Sequence, residues 1–94
     1  MITKEDAPWI PKGYALACRR VRGKLIFDRD LGKLVFIFDK LVYDEYRQSY
    51  MTRIIYNSLA KALEDFDESA VKRALRGGET IVRKRVAFYT LARK

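Results

Sequence analysis

Two runs of basic residues carry the chemistry this sequence offers. Arg19, Arg20, Arg22 and Lys24 stand together in the first third of the chain, and Arg83, Lys84 and Arg85 stand near its end. Arg and Lys at strand spacing can follow a phosphate backbone, each neutralised phosphate releasing condensed counterions. Arg adds a planar fork that grips phosphate at two points and a flat face that stacks on bases. Tyr89 and one strand phenylalanine, Phe36 or Phe38, are the aromatic residues placed to supply stacking platforms beside them. A simpler reading is a solvated basic edge that keeps sheets from associating. A third is a docking surface for an acidic protein. Seven basic residues at matching places in two strands exceed what edge protection requires, so nucleic-acid contact leads.

Other chemistry is sparse. The chain has no His, which removes the usual general base at neutral pH and the commonest zinc ligand. Its single cysteine, Cys18, cannot form an internal disulfide. Set among Ala15, Leu16 and Ala17, Cys18 is expected to be a small buried hydrophobe, although Arg19 and Arg20 beside it would favour a thiolate. Asp28 and Asp30 flank Arg29, and Asp39 precedes Lys40, a sparse version of the strand-end carboxylates and lysine of a metal nuclease. Aspartates favour turns and caps for local reasons, so the expectation is no catalytic residue, no metal and no cofactor. No phosphate-cradling Gly-rich loop, zinc-finger spacing or RNA-binding signature is present.

Aromatic residues form a second group. Tyr43, Tyr46 and Tyr50 fall on one side of a helix drawn through residues 41–66. Trp9 lies between Pro8 and Pro11, where it would anchor an extended arm or stack on a base.

These groups need elements to hold them. Residues 1–13 read as the arm. Residues 14–28 read as extended, with Gly23 as a candidate bulge. Arg29-Asp30-Leu31-Gly32 is a turn, and residues 33–39 complete a hairpin. In that second strand Leu34, Phe36 and Phe38 share one face, Val35 and Ile37 the other, so both faces are covered or central. Met51, Ile54, Ile55, Leu59, Ala62, Leu63 and Phe66 recur at three- and four-residue spacing and predict one long helix over residues 41–66, with Asp39 as its N-cap. Asp67 starts a short helix that Gly77-Gly78 ends. Residues 79–92 read as a long last strand, in which Lys84 shares a face with Val82, Val86 and Phe88, and Ile81, Arg83, Arg85 and Tyr89 share the other.

The expected fold class is therefore α+β: a small antiparallel sheet made of a β-hairpin and a long C-terminal strand, with one long and one short helix on one face. The uncovered face would carry apolar residues beside arginines, as a partner site does. The chain has 94 residues, enough for one domain spanning 1–94, and its 49% hydrophobic content is that of a folding chain. Its charge is uneven. Residues 1–24 carry six basic and two acidic groups, residues 25–69 six and nine, and residues 70–94 eight and one, within a net +8. If the two basic ends are neighbours they make one positive surface.

Few amides, only Gln48 and Asn57, with many charges give a thermophile-like composition. A core this small predicts a homodimer. A polar start and no apolar run near the ~18 residues of a membrane span predict a cytoplasmic protein with no membrane partner. The functional expectation is a small non-enzymatic protein that binds single-stranded DNA or RNA, or structured RNA, through Arg19, Arg20, Arg22, Lys24, Phe36, Arg83, Lys84, Arg85 and Tyr89. The alternative is an accessory or inhibitory subunit that docks on an acidic partner. Adjacency of the two basic strands is the condition on which the first rests.

Overall fold

The computed structural model describes residues 1–44 and 47–94. Six strands and two helices follow in the order β1 (Tyr14–Arg19), β2 (Arg22–Asp28), β3 (Lys33–Asp44), β4 (Ser49–Tyr56), α1 (Leu59–Asp65), α2 (Glu68–Leu75), β5 (Thr80–Arg83) and β6 (Phe88–Arg93). All strand pairings are antiparallel, and the class is α+β, as composition and periodicity predict.

Local chemistry sets the β2–β3 hairpin. The Asp28 Oδ1 accepts hydrogen bonds from the backbone N–H groups of Asp30 (2.9 Å) and Leu31 (3.0 Å), and Gly32 takes a positive φ of 66°. Asp28 thus pairs with Lys33, and Leu25 with Phe36.

Residues 41–66 are not one helix. They form the end of β3, then β4, then the short α1. Tyr50, Thr52, Ile54, Ile55 and Tyr56 are β-branched or aromatic, and in β4 they pack against β3 across the ladder. The helical spacing read from Met51 to Phe66 joins a strand to a helix across Ser58, which caps α1 by accepting from the Lys61 N–H (3.3 Å). Asp39 accordingly lies within β3 and caps nothing. Tyr43 and Tyr50 still meet, now as directly opposed residues of β3 and β4. Tyr46 and Glu45 lie outside the described residues. The short helix is where the sequence puts it: Asp67 is its N-cap and Gly77, at φ 92°, follows its end.

Twelve residues at about 3.4 Å each make β3 about 40 Å long, close to the 45 Å length of the molecule. One edge of β3 pairs with β4. Its other edge pairs first with β2, through Phe38, and then with β6, at Val42 and Tyr43. Sheet order is β1-β6-β3-β2-β5. In one half β2 lies inside and β5 at the edge; in the other β6 lies inside and β1 at the edge. Each of the two long strands expected over 14–28 and 79–92 is therefore broken in two, and the segments exchange places at residues 20–21 and 84–87. The Lys84 N–H donates to the Val21 carbonyl (2.9 Å) at this crossing.

The two helices cover the face bearing Leu25, Leu34, Phe36, Phe38 and Val42, to which they add Ala62, Phe66, Val71 and Ala74. At the other end the arm covers the opposite face. Ile10 is fully buried there with Ala7 and Leu16, and Ile2 bridges to Leu16. Ile10 is the deeper anchor of the arm; Trp9 also packs on the sheet, against Tyr43, but stays 48% exposed. The Lys4 Nζ fastens the loop by donating to the carbonyls of Pro8 and Ile10, both at 3.0 Å.

Gly23 is no bulge. It pairs regularly with Phe38 and Val82, and a Cβ on it would overlap the Ile37 carbonyl and touch the Phe36 ring. The glycine permits a close backbone approach. Gly23→Ala is expected to destabilise the fold by about 1–3 kcal/mol or more, the range of overpacked cores. Thermal unfolding would show this as a fall of at least about 4 °C.

Candidate nucleic-acid interface

The crossing brings the two basic runs together. Arg22 pairs directly with Arg83 across the β2–β5 ladder, and the Arg20 Nε donates to the Lys84 carbonyl (3.3 Å). A cleft of about 600 Å³ opens where β2 leaves β3 and β6 joins it. Arg19, Arg20, Arg22, Lys40 and Arg83 line it, with Asp39 as its single carboxylate. Like charges directly opposed on adjacent strands repel. Arg19, Arg22, Lys40 and Arg83 have no ion pair among the described residues, so the cleft holds an excess of positive charge that Asp39 offsets only in part. Lys24, also in β2, makes an exposed pair with Glu79 at 3.5 Å.

Three of the residues expected in the site are elsewhere. Phe36 is fully buried in the helix-covered core and presents no ring to a ligand. Lys84 is buried too: its Nζ sits 3.3 Å from the Asp65 Oδ1 and 4.4 Å from the Phe88 ring centre. Its place on the face shared by Val82 and Phe88 turns it inward, where only an ion pair makes a buried ammonium tolerable. Arg85 faces the helices. It pairs with Asp67 (3.3 Å) and donates to the Leu63 carbonyl (3.5 Å), neutralising the acidic junction of α1 and α2.

Tyr89 stands beside the cleft in a row that crosses four strands. Cys18 pairs with Tyr89, Tyr89 with Tyr43, and Tyr43 with Tyr50. Paired residues share a sheet face, so these four side chains form one line. Trp9 stacks on Tyr43 at 4.5 Å with 28° between the rings, and meets Tyr50 edge-on at 6.5 Å. Partial burial, then the neighbouring Tyr43, raises the Tyr50 hydroxyl pKa. Cys18, expected to be buried, is exposed and lines the cleft, because the arm's cover stops at Leu16. The place of Lys40 in the basic cleft and the Trp9–Tyr43 stack are not among the sequence expectations. Lys40 sits at the end of an apolar run, an available signal, whereas the stack depends on how the arm folds back.

On the other half of the sheet, the face away from the helices stays open. Ile37 (39% exposed), Ile55 (38%) and Ile81 (58%) lie there with Lys24 and Arg53. Among the described residues the carboxylates do not converge on a metal-sized site. Asp28 holds its own turn, and no group of three potential metal ligands occurs among the described residues. Comparison with protein families, curated proteins and solved structures finds no match to this chain. No described helix is long and apolar enough to cross a membrane.

Proposed function

We propose that this protein binds nucleic acid without cleaving it, holding the phosphate backbone in the cleft at the strand crossing. The observation that carries the reading is the opposition of Arg22 and Arg83, 61 positions apart in sequence, in a cleft that Arg19, Arg20 and Lys40 complete with little acidic offset. Single strands or structured RNA suit it better than a duplex groove. Both helices are short, seven and eight residues, and their junction is held by ion pairs inside the fold, Lys84 with Asp65, Arg85 with Asp67 and Lys72 with Glu68, so neither serves as a recognition helix.

The test is a salt titration of binding by fluorescence anisotropy. Each lost phosphate contact on a single strand flattens the log–log salt slope by about 0.7. Arg22→Ala with Arg83→Ala should flatten it by about 1.4, while Arg85→Ala, paired with Asp67, should leave it unchanged. Equal effects of the two variants would remove the cleft from consideration.

A second reading has one observation in its favour. The open face of Ile37, Ile55 and Ile81, rimmed by Lys24 and Arg53, fits an apolar surface with acidic borders on a partner protein. That reading predicts saturable one-to-one association with a single protein and weak, salt-sensitive affinity for polyanions generally.

A further inference from the structure

The line Cys18–Tyr89–Tyr43–Tyr50 begins at the wall of the basic cleft and ends at an exposed aromatic cluster. Neighbouring strands lie about 4.8 Å apart, so Tyr43 is about 10 Å and Tyr50 about 14 Å from the Cys18 strand. Tyr43 occupies one face of the Trp9 indole, and Tyr50 an edge. About half of the Trp9 surface remains in water, as does 39% of Tyr50. An indole that the fold leaves half exposed, although a fully buried Ile10 next to it already fastens the arm, is free to take another flat ring.

We infer that Trp9, backed by Tyr43 and flanked by Tyr50, is a stacking site for an unpaired base of the strand whose phosphates lie in the cleft. The inference rests on the nucleic-acid reading above and adds the residues that would select strands with unpaired bases. A duplex keeps its bases stacked on each other and has no ring to offer. The charge of the cleft then supplies affinity for any strand, and the aromatic cluster supplies the preference for single ones.

Trp9 is the only tryptophan in the chain, so its emission reports the site directly. The probes are a labelled 20-nucleotide oligothymidylate and a 20-base-pair DNA duplex, each titrated at low salt with anisotropy and tryptophan emission read together. Oligothymidylate should quench Trp9 with the same midpoint as the anisotropy change. Trp9→Ala and Tyr50→Ala should each weaken oligothymidylate binding between about fivefold and a hundredfold, the range for losing one stacked base. Duplex binding and the salt slope should not change. Trp9→Phe should restore most of the affinity, which separates stacking from damage to the arm. Oligothymidylate binding with unmoved Trp9 emission and an undiminished Trp9→Ala variant would overturn the stacking site and leave the cleft standing. Failure of both oligonucleotides to bind would overturn the cleft reading and the stacking site with it.

Discussion

Lys84→Met lowers the stability of the fold by about 3–5 kcal/mol, the cost of breaking a buried ion pair from one side. The Lys84 side chain is 5% exposed and that of Asp65 14%. Methionine keeps the length and most of the volume, so the loss measures charge rather than a cavity. Asp65 would retain only the Tyr56 hydroxyl, which donates to its Oδ2 at 2.6 Å. Urea or thermal unfolding checks this, with a fall in Tm of about 12 °C or more. Adding Asp65→Leu should recover part of the loss, because removing both charges leaves neither unpaired. Below its melting temperature the Lys84→Met variant should keep the wild-type salt slope for nucleic acid. A flattened slope with unchanged stability would put Lys84 back among the phosphate contacts.

The same cluster sets an alkaline limit. Burial, then the hydrogen bond to Asp65 and its charge, pushes the Tyr56 hydroxyl well above its usual pKa. The unfolded chain loses that proton near pH ~10, while the folded chain keeps it. The contribution is thus complete below about pH 10 and is lost as pH rises further.

Phe36→Ala is expected to cost about 3–5 kcal/mol, at the upper end for a single core truncation. Phe36 is fully buried at the centre of the helix-covered face, 4.9 Å from the Phe66 ring and 5.3 Å from the Phe38 ring. Its removal uncouples the sheet from α1 and α2 together. Phe36→Leu, with a smaller change in volume, should remain folded and bind nucleic acid as the wild type does. Loss of binding in a folded Phe36→Leu variant would contradict its place in the core.

Short-range features of this fold are legible in its sequence. Asp28 and Gly32 mark the hairpin turn, Asp67 and Gly77 bracket α2, and the parity of Leu34, Phe36 and Phe38 gives the core face of β3. The same parity places Lys84 beside Val82 and Phe88, which marks it as inward-facing, while its charge by itself suggests a phosphate role. Phe36 is the same case. Two things were not readable. Residues 51–66 carry helical spacing across a strand–helix boundary at Asn57-Ser58 that no Gly or Pro punctuates, so periodicity ran through it. Strand order is a tertiary matter: nothing local to Arg20 or Lys84, 64 positions apart, states that they touch.

The exchange of inner and edge positions between the chain's two ends bears on how the molecule assembles. Residues 22–56 can form a three-stranded meander through short turns, since β2, β3 and β4 are consecutive and paired. Each end of the chain supplies an inner strand to one half, β2 and β6, and an edge strand to the other, β1 and β5. Contacts this distant in sequence make closure the slow event. Neither half reaches its final form until residues 80–93 have joined, and a chain still lacking them would hold the meander while Arg22 had no Arg83 opposite it. The positive cleft is thus among the last features to assemble, and it exists only in completed molecules.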